Sequence, residues 1–88
     1  MSPELETLDQ LLGGNLTLAV VRTFYSDEHA FARGVLGLVS CGDVRLLTTK
    51  GVEVPTYQWR ELFIGGAVTG RVDELQLEIT DQGAQKVV

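Results

Sequence analysis

Leu5, Leu8 and Leu12 recur at helical spacing near the start of the chain, with Leu11 beside them, and the spacing predicts a first helix ending at Gly13-Gly14. Ser2-Pro3-Glu4 suits its start, because a hydroxyl caps free amides, Pro at the first helical position loses no hydrogen bond, and acids face the positive dipole end. From Asn15 to Tyr25 the pattern has two readings. Leu18, Val21 and Phe24/Tyr25 have helical spacing behind an Asn15 cap, while Leu16, Leu18, Val20 and Phe24 alternate with Thr17, Ala19, Val21 and Thr23 in a segment rich in β-branched residues. Ser26 then opens a third helix, with Asp27 and Glu28 in its first turn and Gly42 after its end. That helix carries a bulky stripe, Phe31, Val35 and Leu38, and a stripe of small residues, Ala30, Gly34, Gly37 and Cys41. Two glycines inside a helix cost about 1 kcal/mol each relative to alanine. The small stripe is therefore expected to lie close against a neighbour, most simply another helix of the same chain.

Val44-Arg45-Leu46-Leu47-Thr48 and Val52-Glu53-Val54 flank Thr49-Lys50-Gly51 and predict a β-hairpin, with Gly51 supplying the positive φ of a tight turn. Thr56 is placed to cap a short aromatic helix over Tyr57 to Phe63, ended by Gly65-Gly66, and Ala67 to Asp73 reads as a connection. Leu75, Leu77 and Ile79 then alternate with Gln76, Glu78 and Thr80, as in a strand with one buried face. Asp81-Gln82-Gly83 is read as a turn into a short tail.

The order helix, ambiguous segment, helix, strand, turn, strand resembles the winged helix-turn-helix superfamily. Ser26 to Gly42 matches its third helix and Val44 to Val54 its wing, while Leu77-Glu78-Ile79-Thr80-Asp81-Gln82-Gly83 is similar to the strand and Leu-Thr-x-x-Gly ending after the wing of many bacterial winged-helix regulators. These matches leave two arrangements open. Either Leu75 to Thr80 is the returning wing strand, with an insertion carrying its own helix before it, or Val52 to Val54 returns and Leu75 to Thr80 is an added strand. Both give one α+β, winged-helix-like domain over residues 1–88, with three N-terminal helices, a hairpin wing, a short aromatic helix and a C-terminal strand.

Composition narrows the function classes. Eighty-eight residues supply one core and not two. No apolar run approaches the roughly 20 residues that cross a bilayer, and the acidic N-terminus lacks the form of a secretory signal, so the cytoplasm is the expected location. Cys41 and His29 are each the sole residue of their type, which leaves no disulfide within the chain and no conventional Cys/His zinc site, and no cofactor is expected. A nucleophilic Cys41 is the one enzymatic option, set against the commoner role of a small buried residue. The glycine-rich Gly65 to Arg71 lacks the Gly-Lys-Ser/Thr ending of a phosphate-binding loop.

The resemblance implies DNA binding by the third helix and wing. Charge opposes it. Seven Lys+Arg against 12 Asp+Glu give a net −5, and the third helix carries Asp27 and Glu28 against Arg33 alone. The expected function is accordingly a small non-enzymatic binding or regulatory module that acts through protein–protein contact, including self-association as a homodimer. Its candidate contact residues are Tyr57 and Arg60 on the aromatic helix and Gly34 and Gly37 on the small stripe. The alternative is a DNA-binding regulator contacting nucleic acid through Arg45, Lys50 and Arg60.

Overall fold

The computed structural model describes residues 2–55, 58 and 74–87. Helix α1 (Pro3–Leu11) begins as its sequence dictates: the Ser2 side chain accepts the Leu5 N–H at 3.2 Å, Pro3 is at the first position, and Glu4 and Glu6 lie in the first turn. Its buried face is Thr7, Leu8 and Leu11, whereas Leu5 and Leu12 remain 39% and 46% exposed. The expected stripe through Leu5 and Leu12 is thus displaced by part of a turn. Thr7 tolerates burial because its hydroxyl donates to the Pro3 carbonyl at 2.7 Å.

Residues 15–25 divide between the two readings. Strand β1 (Leu16–Thr17) is followed at once by helix α2 (Leu18–Arg22), whose cap position is Thr17 and not Asn15. Long-range pairing decides this: Leu16 and Thr17 align with Leu77 and Gln76, and the Leu18 N–H donates to the Leu75 carbonyl at 2.8 Å. Leu18 and Val21 then turn inward to full burial. Helix α3 (Glu28–Cys41) starts one residue later than expected, on an Asp27 side chain that accepts the Ala30 N–H at 2.8 Å. It ends on Gly42 at φ 84°, a left-handed conformation suited to glycine. Phe31, Val35 and Leu38 are buried, as their stripe predicts.

Strand β2 (Val44–Leu47) and strand β3 (Gln76–Ile79) pair antiparallel, with Val44 opposite Ile79, Arg45 opposite Glu78 and Leu46 opposite Leu77. Because β3 also pairs with β1, the sheet order is β1-β3-β2 and Leu77 is fully buried between Leu16 and Leu46. The expected tight hairpin is corrected here. The chain does turn at Thr48–Gly51, with the Gly51 N–H on the Thr48 carbonyl at 2.9 Å and the Thr48 N–H on the Val52 carbonyl at 2.8 Å. Residues 52–54, however, contribute one bridge, Leu47 to Glu53, and a Val54 N–H bond to the Leu46 carbonyl, instead of a regular strand. The regular partner of β2 is 76–79, whose alternating pattern offers four consecutive paired residues.

The expected tail at Asp81 is also corrected: it is helix α4 (Asp81–Gln85), capped by Thr80, whose hydroxyl accepts the Gly83 N–H at 3.2 Å. Helix α4 is tied to the end of α3. The Thr80 hydroxyl donates to the Gly42 carbonyl at 2.6 Å, its N–H donates to the Asp43 carbonyl at 3.0 Å, and Gln82 Nε2 donates to the Cys41 carbonyl at 2.7 Å. Asp43 is buried and accepts from Gln82 Nε2 at 2.9 Å and Lys86 Nζ at 2.7 Å. Gly83 sits against the Asp43 carbonyl so closely that a Cβ would collide with it. The Thr-x-x-Gly spacing thus has a physical reading, Thr80 as cap and bridge and Gly83 as the residue that lets α4 approach. The core comprises α1, α2 and α3 packed on one face of the sheet through Leu8, Leu18, Phe31, Val35, Leu46 and Leu77.

Candidate interaction surface

The small stripe of α3 does not behave as one surface. Gly34 is buried, and a Cβ there would lie 2.5–2.8 Å from Tyr25 ring and hydroxyl atoms, so its neighbour is an aromatic side chain and not a helix. Tyr25 in turn meets the edge of Phe31, with ring centroids 5.9 Å apart at 73°. Gly37 is exposed, and a Cβ built on it meets nothing within 4 Å among the described residues. Cys41 is exposed as well. The expected close approach of a second helix along the whole stripe is therefore overturned, because Tyr25 fills the space above Gly34 while Gly37 and Cys41 are exposed.

What α3 presents to solvent is Glu28, His29, Arg33, Gly37, Ser40 and Cys41, with Leu36 half-buried among them. The two acids that weigh against this helix in the sequence are both engaged. Asp27 is its cap, and Glu28 pairs with Arg22 at 3.1 Å, while the same guanidinium stands 4.8 Å above the Phe31 ring. Arg33 was not among the residues singled out from sequence; the signal that could have found it is its spacing from His29 and Gly37 on the side opposite Phe31, Val35 and Leu38.

Among the described residues, Arg22, Arg45 and Lys86 each have a carboxylate partner: Glu28, Glu78 at 3.6 Å and Asp43 respectively. Arg33 and Lys50 have none. Lys50 stands at the exposed turn after β2, where the Thr48 hydroxyl accepts its N–H at 3.3 Å and that of Val52 at 3.2 Å. Arg45 is exposed but held across the sheet by Glu78. Tyr57 and Arg60, with the expected aromatic helix, lie outside the described residues.

Chemistry is sparse. Cys41 and His29 stand at opposite ends of α3, about 18 Å apart at 1.5 Å per residue, so they do not form a nucleophile and base pair. Among the described residues no group of three or more His, Cys, Asp or Glu side chains is placed to hold a metal ion, and no helix is long and apolar enough to cross a membrane. Burial pushes the Tyr25 phenol above its ordinary pKa, with Thr7 opposing and Glu4 adding to the shift, and the Asp43 contact raises the Lys86 ammonium. Comparison with protein-family models, curated proteins and solved structures found no match for this chain.

Proposed function

We propose that this chain is a non-enzymatic binding module of winged-helix type that recognises another protein chain, a second copy included, through the exposed face of α3. The winged-helix reading is supported by α3 leading into a ribbon whose return strand, β3, also pairs with the short strand between the first two helices. The observation that carries the functional reading is Gly37. A glycine in mid-helix costs about 1 kcal/mol relative to alanine, and nothing among the described residues uses the space it leaves. On its C-terminal side the face is Leu36, Ser40 and Cys41 without a charge, with Arg33 one turn before it, which suits close approach by another protein surface. Light scattering over a range of concentrations tests the self-association form of this reading. A dimer that dissociates in Gly37→Glu without loss of melting temperature supports it, and a wild-type chain that is monomeric throughout removes it, leaving a different protein as the partner.

A second reading, duplex DNA, is favoured by one observation. Arg33 and Lys50, the described cations without a carboxylate partner, stand on the helix and the turn that a winged-helix domain presents to a duplex. Two cations against a net −5 make a weak electrostatic footprint, which is why the protein reading ranks first.

A further inference from the structure

A cleft of about 420 Å³ opens between the first turn of α1 and the first half of α3, lined by Pro3, Glu4, Tyr25, Ala30, Arg33 and Gly34. Its size lies at the small end of the roughly 300–1,000 Å³ of ligand pockets. Two features set it apart from an ordinary surface depression. Its floor is the Tyr25 ring, recessed because Gly34 offers no side chain, so that an aromatic surface and a phenol lie at its base. Its rim carries one carboxylate, Glu4, and one guanidinium, Arg33, and neither has an ion-pair partner among the described residues, not even the other.

We propose that this cleft binds a small zwitterion of amino-acid size, its carboxylate on Arg33, its ammonium on Glu4 and its apolar body against Pro3, Ala30 and Tyr25. A simple anion would be opposed by Glu4 and a simple cation by Arg33, whereas a ligand with both signs answers both charges at once. Arg33 suits a carboxylate, which its planar fork meets with two parallel hydrogen bonds. The Tyr25 phenol shares the lining with both charges, and burial keeps it protonated at neutral pH, so it offers a neutral hydrogen-bonding group.

The test is an NMR titration of the whole chain with L-leucine, leucinamide and 4-methylpentanoate, following the backbone amides of Ala30, Arg33 and Gly34. Leucine should give saturable shifts, while each analogue, lacking one charge, should bind about fivefold or more weakly. Arg33→Gln and Glu4→Gln, both at solvent-accessible positions, should weaken leucine by a similar factor with otherwise preserved spectra. Absence of saturable shifts up to about 50 mM, a range that covers millimolar affinities, overturns the proposal. Equal affinity for leucine and both analogues, or full binding by both variants, overturns it too.

Discussion

The Asp43 carboxylate and the Lys86 ammonium meet at 2.7 Å across the join between α3 and α4, the first side chain 3% exposed and the second 47%. This asymmetry orders two substitutions. Lys86→Met leaves a buried carboxylate with Gln82 as its remaining side-chain donor, whereas Asp43→Asn leaves an ammonium that water can solvate. Chemical denaturation should therefore place the midpoint of Lys86→Met below that of Asp43→Asn, with both below wild type. The reverse order would mean that water already reaches Asp43.

The glycines of α3 should respond with opposite signs. Gly34→Ala drives a methyl group into the buried Tyr25 ring and should cost about 1–3 kcal/mol, the usual range for overpacking. Gly37→Ala enters open space and should add up to about 1 kcal/mol through helix propensity. Gly83→Ala, set against the Asp43 carbonyl, should behave like Gly34→Ala or worse, since the backbone it meets cannot rotate away. Urea denaturation of the three variants checks all three signs.

Alkaline pH should lower the stability of the chain through two groups. Tyr25 and Lys86 both have folded-state pKa values raised above the ordinary 10.0 and 10.5. For Tyr25 the folded state favours the neutral phenol, by burial first, and for Lys86 it favours the ammonium, through Asp43 first. In both the folded chain holds its proton more tightly than the unfolded chain. Their contribution is therefore complete below about pH 10 and is lost as pH rises through the folded values. Melting temperature followed from pH 8 to pH 11 should fall across the upper end of that range, and Tyr25→Phe should flatten part of the fall.

Where the sequence was legible, local chemistry governed the outcome. Ser2-Pro3 starts α1, Gly42 ends α3, Phe31, Val35 and Leu38 form its buried stripe, and Gly51 makes the turn after β2. The divided segment 15–25 was not legible, because pairing of Leu16 and Thr17 with Leu77 and Gln76 across some 60 residues decides it. The same long-range pairing makes 76–79, and not 52–54, the regular partner of β2. For the candidate surface, the small stripe of α3 was visible as composition. Its division into an inner Gly34 and an outer Gly37 depends on where Tyr25 folds back, which no spacing along α3 reveals.

Duplex DNA should bind no more tightly than the weak non-specific range at physiological salt. If Arg33 and Lys50 are the phosphate contacts, a plot of log affinity against log salt should have a slope near about −2, the value for two released counterions. Fluorescence anisotropy with mixed-sequence duplexes measures both. Sub-micromolar binding with a steep salt dependence, weakened by Arg33→Gln and by Lys50→Glu, would move nucleic acid to first place.

The most direct measurement of the central claim is site-specific photo-crosslinking in the cell that makes the protein, with a benzophenone side chain at position 40 on α3, one turn from Gly37, and a control at position 20 on α2. Ser40 and Val20 are both exposed, and the probe at 40 leaves the space at Gly37 open. The account predicts a discrete protein adduct from position 40, either a second copy of this chain or one other polypeptide, and none of comparable yield from position 20. Adducts to nucleic acid from position 40, or equal and diffuse labelling from both positions, would contradict it.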